Sequence, residues 1–248
     1  MTGNGIYVYG IVRSGRRVPA EQPGVGGVTV VPRIVREGSV AAVVSDAPAQ
    51  LRARRRDLLA HQSLLLALAD GGPVLPMRFG TVAPDEEAVR RELEVRAQSH
   101  LDMMERLAGM AEANVKAMPA ADGLARLLRE DASVRRLREE ARRRPGYETD
   151  IRLGEAVARG LSRRAAEAAG RLMTELVPHA TAAHRGAEVP GCVLNVSLLL
   201  DKNGYRAVEA VVNRFATTHK DLVELRLTGP LPCYSFVAPD AAAVGRRG

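Results

Sequence analysis

Histidine is the side chain best suited to acid–base or metal chemistry near neutral pH. In this chain of 248 residues the five histidines are scattered, at His61, His100, His179, His184 and His219. His179 and His184 are five residues apart, a spacing that does not place two side chains on one helix face for a metal. His61 lies in a Leu-rich helical segment, and we expect a packed histidine or one at the boundary of the core instead of a base.

Other reactive residue types also fail to form a recognisable site. Cys192 and Cys233 show no C-x-x-C spacing, which favours a reduced cytoplasmic chain without a redox or metal motif. The glycine-rich run 24–27 is not a phosphate loop, because Thr29 stands where a dinucleotide fingerprint needs glycine. Neither G-x-S-x-G nor H-E-x-x-H occurs. We therefore predict no catalytic residue, cofactor, metal or small-molecule substrate, and a protein that is not an enzyme.

The net charge of +7 is compatible with nucleic-acid binding. Lysine occurs only at Lys116, Lys202 and Lys220, so arginine supplies the other 33 of the 36 basic residues, a bias typical of GC-rich genomes. Ferredoxin-like sheets that bind RNA carry stacking aromatics on their strands, whereas the strand candidates 192–200 and 222–227 contain none. A basic nucleic-acid-binding protein with a ferredoxin-like sheet is the alternative function, and we do not expect nucleic acid as the partner.

One apolar stretch, residues 74–82, is interrupted by proline and holds a single charge. Because Pro76 has no N–H to donate to a ladder, the stretch cannot be a central strand and should lie at a sheet edge or form a shaped loop. Two interpretations stay open: a connection bordering the core whose arginine reaches solvent, or a surface that binds a partner. The partner-binding candidates are Leu75, Met77, Arg78 and Phe79.

The elements around this stretch predict an α+β domain over residues 1–110. Residues 6–12 are β-branched and aromatic and predict a strand. Strands at 28–35 and 39–44 would form a hairpin about a turn at 36–38. Asp46 and Pro48 predict a helix start, and the apolar face of that helix would consist of Leu51, Leu58, Leu59, Leu65, Leu66 and Ala69. A further helical stripe follows from Pro84 to Gly109, with acidic residues in its first turn.

Residues 111–238 predict a second domain of the ferredoxin-like type, with a helical insertion at about 120–186. Two near-heptad helical stripes within the insertion predict an antiparallel helical hairpin. The remaining predicted elements are strands at 112–118, 192–200 and 222–227, a helix at 208–215, and extended chain at 234–237. We expect the tail 239–248 to be disordered. No signal peptide precedes Ile6 and no apolar run approaches the ~20 residues that span a bilayer, so we expect no membrane partner.

Three stretches together carry a family resemblance. Residues 75–82 read L-P-M-R-F-G-T-V, residues 145–147 read P-G-Y and are followed by L-G at 153–154, and residues 224–236 read E-L-R-L-T-G-P-L-P-C-Y-S-F. They resemble the L-P-[LM]-R-F-G-T-V, P-G-Y…L-G and E-L-R-x-T-G-P-W-P-P-Y-S-F segments of the gas vesicle accessory proteins GvpF and GvpL. Leu231 replaces the usual aromatic residue and Cys233 the usual second proline. The likeness keeps the family's order and covers residues 5–238.

The resemblance implies two domains, an unusual N-terminal α+β domain and a modified ferredoxin-like C-terminal domain with a long helical hairpin. It also implies a non-enzymatic role in gas vesicle assembly, in the cytoplasm and associated with the vesicle. The implied partners are the small, very hydrophobic shell protein GvpA and other accessory proteins of the vesicle. The family has no catalytic residues to carry over.

Overall fold

The computed structural model describes residues 5–20 and 22–237, which divide into two compact units. The first unit consists of residues 5–112 together with 230–237, and the second of residues 113–229. The sequence had grouped 230–237 with the second domain, but contacts of Tyr234 and Ser235 place this segment in the first unit. The predicted disordered tail, 239–248, lies outside the described residues.

The first unit contains an antiparallel sheet with β1 near its centre. Its strands are β1 (Ile6–Arg13), β2 (Arg33–Glu37), β3 (Val40–Asp46), β4 (Leu75–Pro76) and β5 (Val82–Ala83). The order is β2-β3-β1-β4, and β5 also pairs with β1. The prediction of a strand at 6–12 is therefore confirmed, and its apolar sequence reflects burial on both faces of the sheet.

A bulge in β1 sets which side chains face which helix layer. The pairing with β3 shifts between Val8 and Gly10, so Tyr9 is the extra residue. Tyr7 and Tyr9 then face one core, whereas Val8 and Ile11 face the other side of the sheet. Gly10 is required by close approach, because a Cβ there would lie 2.9 Å from the Leu75 carbonyl oxygen.

Helices cover both faces of this sheet. They are α1 (Arg55–Asp70), α2 (Glu86–Val95) and α3 (Ala97–Arg106). The side chain of Asp85 accepts a hydrogen bond from Ala88 N at 2.7 Å and caps α2, as the acidic start predicted. The single predicted stripe to Gly109 is divided at Arg96, which lies between α2 and α3.

The predicted start and apolar face of α1 were wrong. The helix begins at Arg55, because Arg54 is still extended. Leu58 and Leu59 are 41% and 51% exposed. The buried face consists of Asp57, His61, Leu64, Leu65 and Leu68. A pattern of apolar residues alone misplaced this face because two polar side chains, each hydrogen-bonded, belong to it.

The hairpin of β2 and β3 is shorter than predicted. β2 begins at Arg33, after Pro32, since residues 24–30 form turns closed by a bridge between Gly24 and Gly27. The turn lies at residues 38–39, where Gly38 has φ +53°, so that Glu37 pairs with Val40.

The second unit has the strand order β7-β8-β6-β9. Its elements in chain order are β6 (Met110–Pro119), α4 (Leu124–Glu130), α5 (Ala132–Arg143), α6 (Tyr147–Leu176), β7 (Ala182–Arg185), β8 (Leu194–Asp201), α7 (Tyr205–Thr218) and β9 (Val223–Leu231). The chain connects these elements as β-α-β-β-α-β, and the first strand, β6, lies between the third, β8, and the fourth, β9. This is the ferredoxin-like arrangement, elaborated by extra helices. The core contains the alanine-rich face of α6, the valine face of α7 and the inner residues of the strands.

Four details of the second half differ from the prediction. β7 was missed and lies within the range assigned to the helical insertion. The first predicted insertion helix is two helices, because Asp131 is extended and caps α5 through Ser133 N and Val134 N. β9 continues to Leu231 instead of ending at residue 227. Residues Tyr234–Phe236, predicted as extended, form a 3-10 helix.

Among the described residues, no helix combines the length and apolar character that a bilayer span requires.

Candidate functional site

The segment 74–83 lies along the outer edge of β1 in two short pieces. Leu75 pairs with Ile11 and Pro76 with Gly10, while Val82–Ala83 pairs with the beginning of β1. Between these pieces the chain leaves the ladder in a turn in which Thr81 Oγ1 donates to the Arg78 carbonyl oxygen at 2.8 Å. Of the two positions predicted from Pro76, a sheet edge or a shaped loop, the structure shows the sheet edge for both short strands.

The four candidate residues of this segment point in different directions. Leu75 is 3% exposed, Met77 is half-buried and Arg78 is exposed, and all three line one groove. Phe79 is half-buried on the other side, against the core that contains Tyr7 and His61. No ion pair of the described residues includes Arg78, so its guanidinium faces solvent at the groove.

The groove has a volume of about 490 Å³ and lies between the sheet and the helices α2 and α3. Its apolar floor includes Val8, Ile11, Leu75, Val89 and Leu93. The other lining residues are Ala42, Met77, Arg78, Thr81, Val82, Ala83, Ala88, Glu92, Arg96, His100, Tyr234 and Val237. This arrangement suits an apolar side chain or short segment held beside a positive rim.

The charged side chains at the rim of the groove are paired with each other, except for Arg78. Arg96 Nε donates to Glu92 Oε1 at 2.8 Å, within one helical turn. The Nδ1 atom of His100 is buried and has no hydrogen-bond partner among the described residues. Burial lowers the pKa of His100; the charge of Glu92 opposes this to a smaller extent, and that of Arg96 adds to the lowering. His100 is therefore favoured in its neutral form at the groove wall.

Behind the groove, His61 joins α1 to the edge segment through two hydrogen bonds. Its Nε2 lies 3.0 Å from the Met77 carbonyl oxygen, which can only accept, so Nε2 carries the proton. Its Nδ1 then accepts from the Tyr7 hydroxyl at 2.9 Å. That hydroxyl oxygen in turn accepts from Gly80 N at 3.2 Å. The chain Gly80–Tyr7–His61–Met77 thus ties both sides of the turn at 78–81 to the core.

Aromatic rings surround His61. The centroid of His61 is 5.6 Å from that of Tyr9 and 6.4 Å from that of Tyr234, both in stacked orientation, and 5.8 Å from that of Phe79 in an edge contact. Tyr7 contacts Tyr9 and Phe79 at 4.8 and 6.0 Å. We call Tyr7, Tyr9, His61, Phe79 and Tyr234 the aromatic cluster. Such pairs stabilise their arrangement beyond simple area burial.

Burial controls the ionisation of the aromatic cluster. It lowers the pKa of His61, and the hydrogen bond to the Met77 carbonyl opposes this only in part. It also raises the pKa of Tyr7 and Tyr9, and that of Tyr234 to about 12. All four groups are therefore neutral near pH 7, and both ring nitrogens of His61 are already occupied by hydrogen bonds. Of the two predicted positions for His61, packed or at the boundary of the core, the structure shows the packed one.

A buried carboxylate holds the carboxyl-terminal segment against the first unit. Glu112 is 3% exposed, and its two oxygens accept from Ser235 N and Ser235 Oγ, both at 2.8 Å. These bonds fix the 3-10 turn that presents Tyr234 to His61. Residues 77–80 and Tyr234, from two of the segments that carry the family resemblance, therefore meet around one histidine.

Sequence reasoning missed the supporting residues of this site. Tyr7 and Tyr9 were assigned to a strand but not to the edge segment, and neither Glu112 nor Tyr234 was singled out. A usable signal was the alternation of Tyr7 and Tyr9, which puts two of the few aromatic rings on one side of a strand. Among the described residues, no group of three or more His, Cys, Asp or Glu side chains is arranged to hold a metal.

Two solved structures share this fold. The GvpF structures from Anabaena sp. PCC7120 and Microcystis aeruginosa superpose with a TM-score of 0.73 each, at 19% and 18% identity. Each comparison covers 95% of this chain, and 98% and 99% of the respective relative. At this identity the likeness establishes the fold alone.

The sequence comparisons extend over nearly the whole chain. Gas vesicle protein F of Streptomyces sp. (strain CB03234) is 38% identical over 235 residues, covering 93% of this chain and 98% of that protein. Gas vesicle protein L of the same strain is 31% identical over 260 residues, covering 93% of this chain and 91% of that protein. The family described as gas vesicle synthesis protein GvpL/GvpF matches residues 5–238. This chain belongs to the GvpL/GvpF family of gas vesicle synthesis proteins.

Proposed function

We propose that this protein is a non-enzymatic accessory factor of gas vesicle assembly that binds the hydrophobic shell protein GvpA through the groove beside residues 74–82. The role in gas vesicles follows from the family. The observation that carries the proposed surface is the convergence of Leu75, Met77 and Arg78 on one groove with an apolar floor. The protein would act in the cytoplasm and at the vesicle, together with other accessory proteins.

A hydrophobic shell subunit needs such a partner before it joins the wall, because exposed apolar edges pair indiscriminately. Two modes of contact are available, addition of a strand to the sheet edge or insertion of apolar side chains into a groove. The edge beside β1 is interrupted between β4 and β5, and Pro76 has no N–H. These features support insertion into the groove over strand addition, since a continuous ladder has nowhere to form.

Arg78 gives the groove a way to hold its ligand in one orientation. It is exposed and belongs to no ion pair of the described residues, and the opposite wall carries the Arg96–Glu92 pair. Val82 is 43% exposed on the same groove and enlarges the apolar area. An apolar segment of GvpA with an adjacent carboxylate would match both features.

Pull-down of purified GvpA tests this surface. The variants Met77→Asp and Arg78→Glu should each retain markedly less GvpA than the wild type. Their matched controls are Val95→Asp, an 81% exposed residue of α2 outside the groove lining, and Arg91→Glu, an exposed arginine of the same helix. Undiminished retention by both groove variants, with circular dichroism showing a native fold, would rule this surface out.

A further inference from the structure

A second surface, in the other unit and separate from the groove, is concave and rich in arginine. It lies on α4 and α5 and encloses about 1090 Å³. Its lining consists of Leu128, Ala132, Arg135, Arg136, Arg138, Glu139, Glu140, Arg143 and Arg144.

The acidic residues of this region are all engaged by other arginines. Glu130 pairs with Arg126 and Arg164, and Asp131 pairs with Arg163 at 3.1 Å. Glu139 lies 3.9 Å from Arg142. Glu140 pairs with Arg152 of α6 at 3.6 Å. These four carboxylates are therefore already paired with arginines.

Besides Arg135, which donates to backbone carbonyl oxygens, five exposed arginines remain outside these pairs. Arg129, Arg136, Arg138, Arg143 and Arg144 belong to no ion pair of the described residues, and four of them line the concave surface. The carboxyl end of α5 favours cations there and accounts in part for Arg143 and Arg144. It does not account for Arg136 and Arg138, which lie in the middle of the helix.

The floor of this surface is apolar. Leu128 is half-buried and lies with Ala132 at the corner between α4 and α5. Arg135 is held at this corner, since its Nη1 donates to the carbonyl oxygens of Leu128 and Arg129. Arginine forks around an apolar floor match carboxylates spaced along a segment that also carries an apolar side chain.

We propose that this arginine surface binds an acidic segment of a partner protein that carries apolar residues between its carboxylates. Nucleic acid fits less well, because the lining contains no aromatic ring on which a base could stack. The surface extends along one helix of 12 residues, about 18 Å by the helical rise, which is the reach of a short peptide.

Fluorescence anisotropy with a labelled peptide of Glu-Glu-Leu repeats tests this assignment. The double variant Arg136→Glu/Arg143→Glu should raise the dissociation constant by about tenfold or more, because both side chains line the surface. The control Arg91→Glu/Arg171→Glu makes the same change in net charge at exposed arginines on α2 and α6, and should bind nearly as the wild type does. Circular dichroism establishes that both variants are folded.

Three results would overturn the assignment. If the peptide does not bind at low salt, the surface is not a site for acidic ligands. Equal weakening in both double variants attributes the attraction to net charge alone. Tighter binding of a single-stranded oligonucleotide of the same charge, with a steeper loss on adding salt, assigns the surface to nucleic acid instead. The assay contains no GvpA, so its outcome is independent of the proposed groove.

Discussion

His61 Nε2 donates a hydrogen bond to the Met77 carbonyl oxygen at 3.0 Å, and this bond connects the helix α1 to the middle of the edge segment. The same ring accepts from Tyr7 through its other nitrogen. One buried side chain therefore fixes the position of the residues that form the groove beside it. The groove depends on this support because β4 and β5 are only two residues long each.

Replacing His61 by phenylalanine keeps a ring in the aromatic cluster but removes both hydrogen bonds. The Tyr7 hydroxyl then lacks its acceptor and the Met77 carbonyl lacks its donor. We expect the free energy of unfolding to fall by about 2–4 kcal/mol, as measured by urea titration. His179→Phe, at an exposed position, is the control and should change stability little. A His61→Phe variant as stable as the wild type would show that the two bonds contribute nothing.

The pH dependence of stability follows from the lowered pKa of His61. Burial favours the neutral ring in the folded state, so the unfolded chain binds the proton more readily. The contribution of neutral His61 to the free energy of unfolding is fully present above the pKa of the unfolded chain, about 6.5. It is lost as the pH falls through the pKa of the folded state. Burial also lowers the pKa of His100, which therefore contributes in the same direction. Urea titrations between neutral pH and mildly acidic pH should give a shallower decline in His61→Phe than in the wild type.

Glu112→Ala should release the carboxyl-terminal segment of the first unit. The substitution leaves Ser235 N and Oγ without the carboxylate that both contact at 2.8 Å. Hydrogen bonds to a charged group contribute about 1.5–3 kcal/mol each, so the segment should become open to protease. Limited proteolysis with mass spectrometry should detect faster cleavage near Tyr234 than in the wild type. The exposed Glu188→Ala control should be cut at the wild-type rate, and equal cleavage of both variants would contradict this role of Glu112.

Gly10→Ala should destabilise the sheet although alanine is a small residue. Its Cβ would meet the Leu75 carbonyl oxygen and Leu65 Cδ2, both at 2.9 Å, and the backbone atom cannot move without shifting β4. Overpacking of this kind costs about 1–3 kcal/mol, which calorimetry would record as a lower Tm. Gly170→Ala in α6 meets open space and should instead stabilise by about 0.5–1 kcal/mol. A raised Tm for Gly10→Ala would show that β4 can shift to accommodate the added methyl group.

Several features of the fold could be predicted because they follow from local chemistry. Pro76 excluded a central strand, and the structure places it at the edge. The acidic start after Pro84 predicted α2, which Asp85 caps. Failures occurred where long-range contacts decide, as at α1, whose buried face includes Asp57 and His61. β7 escaped detection because its four residues, A-A-H-R, carry no strand pattern and pair with β8 only in the folded chain.

The sequence alone determined the family, the mixed helix and sheet composition, and the exclusion of residues 74–82 from the centre of a sheet. These rest on local motifs and on backbone restrictions that act at any place in a fold. Only the tertiary structure decided that Leu75, Met77 and Arg78 share a groove while Phe79 packs behind it. The physical reason is the set of contacts from distant residues, since Tyr7, His61 and Tyr234 converge on the segment across more than 200 positions of chain.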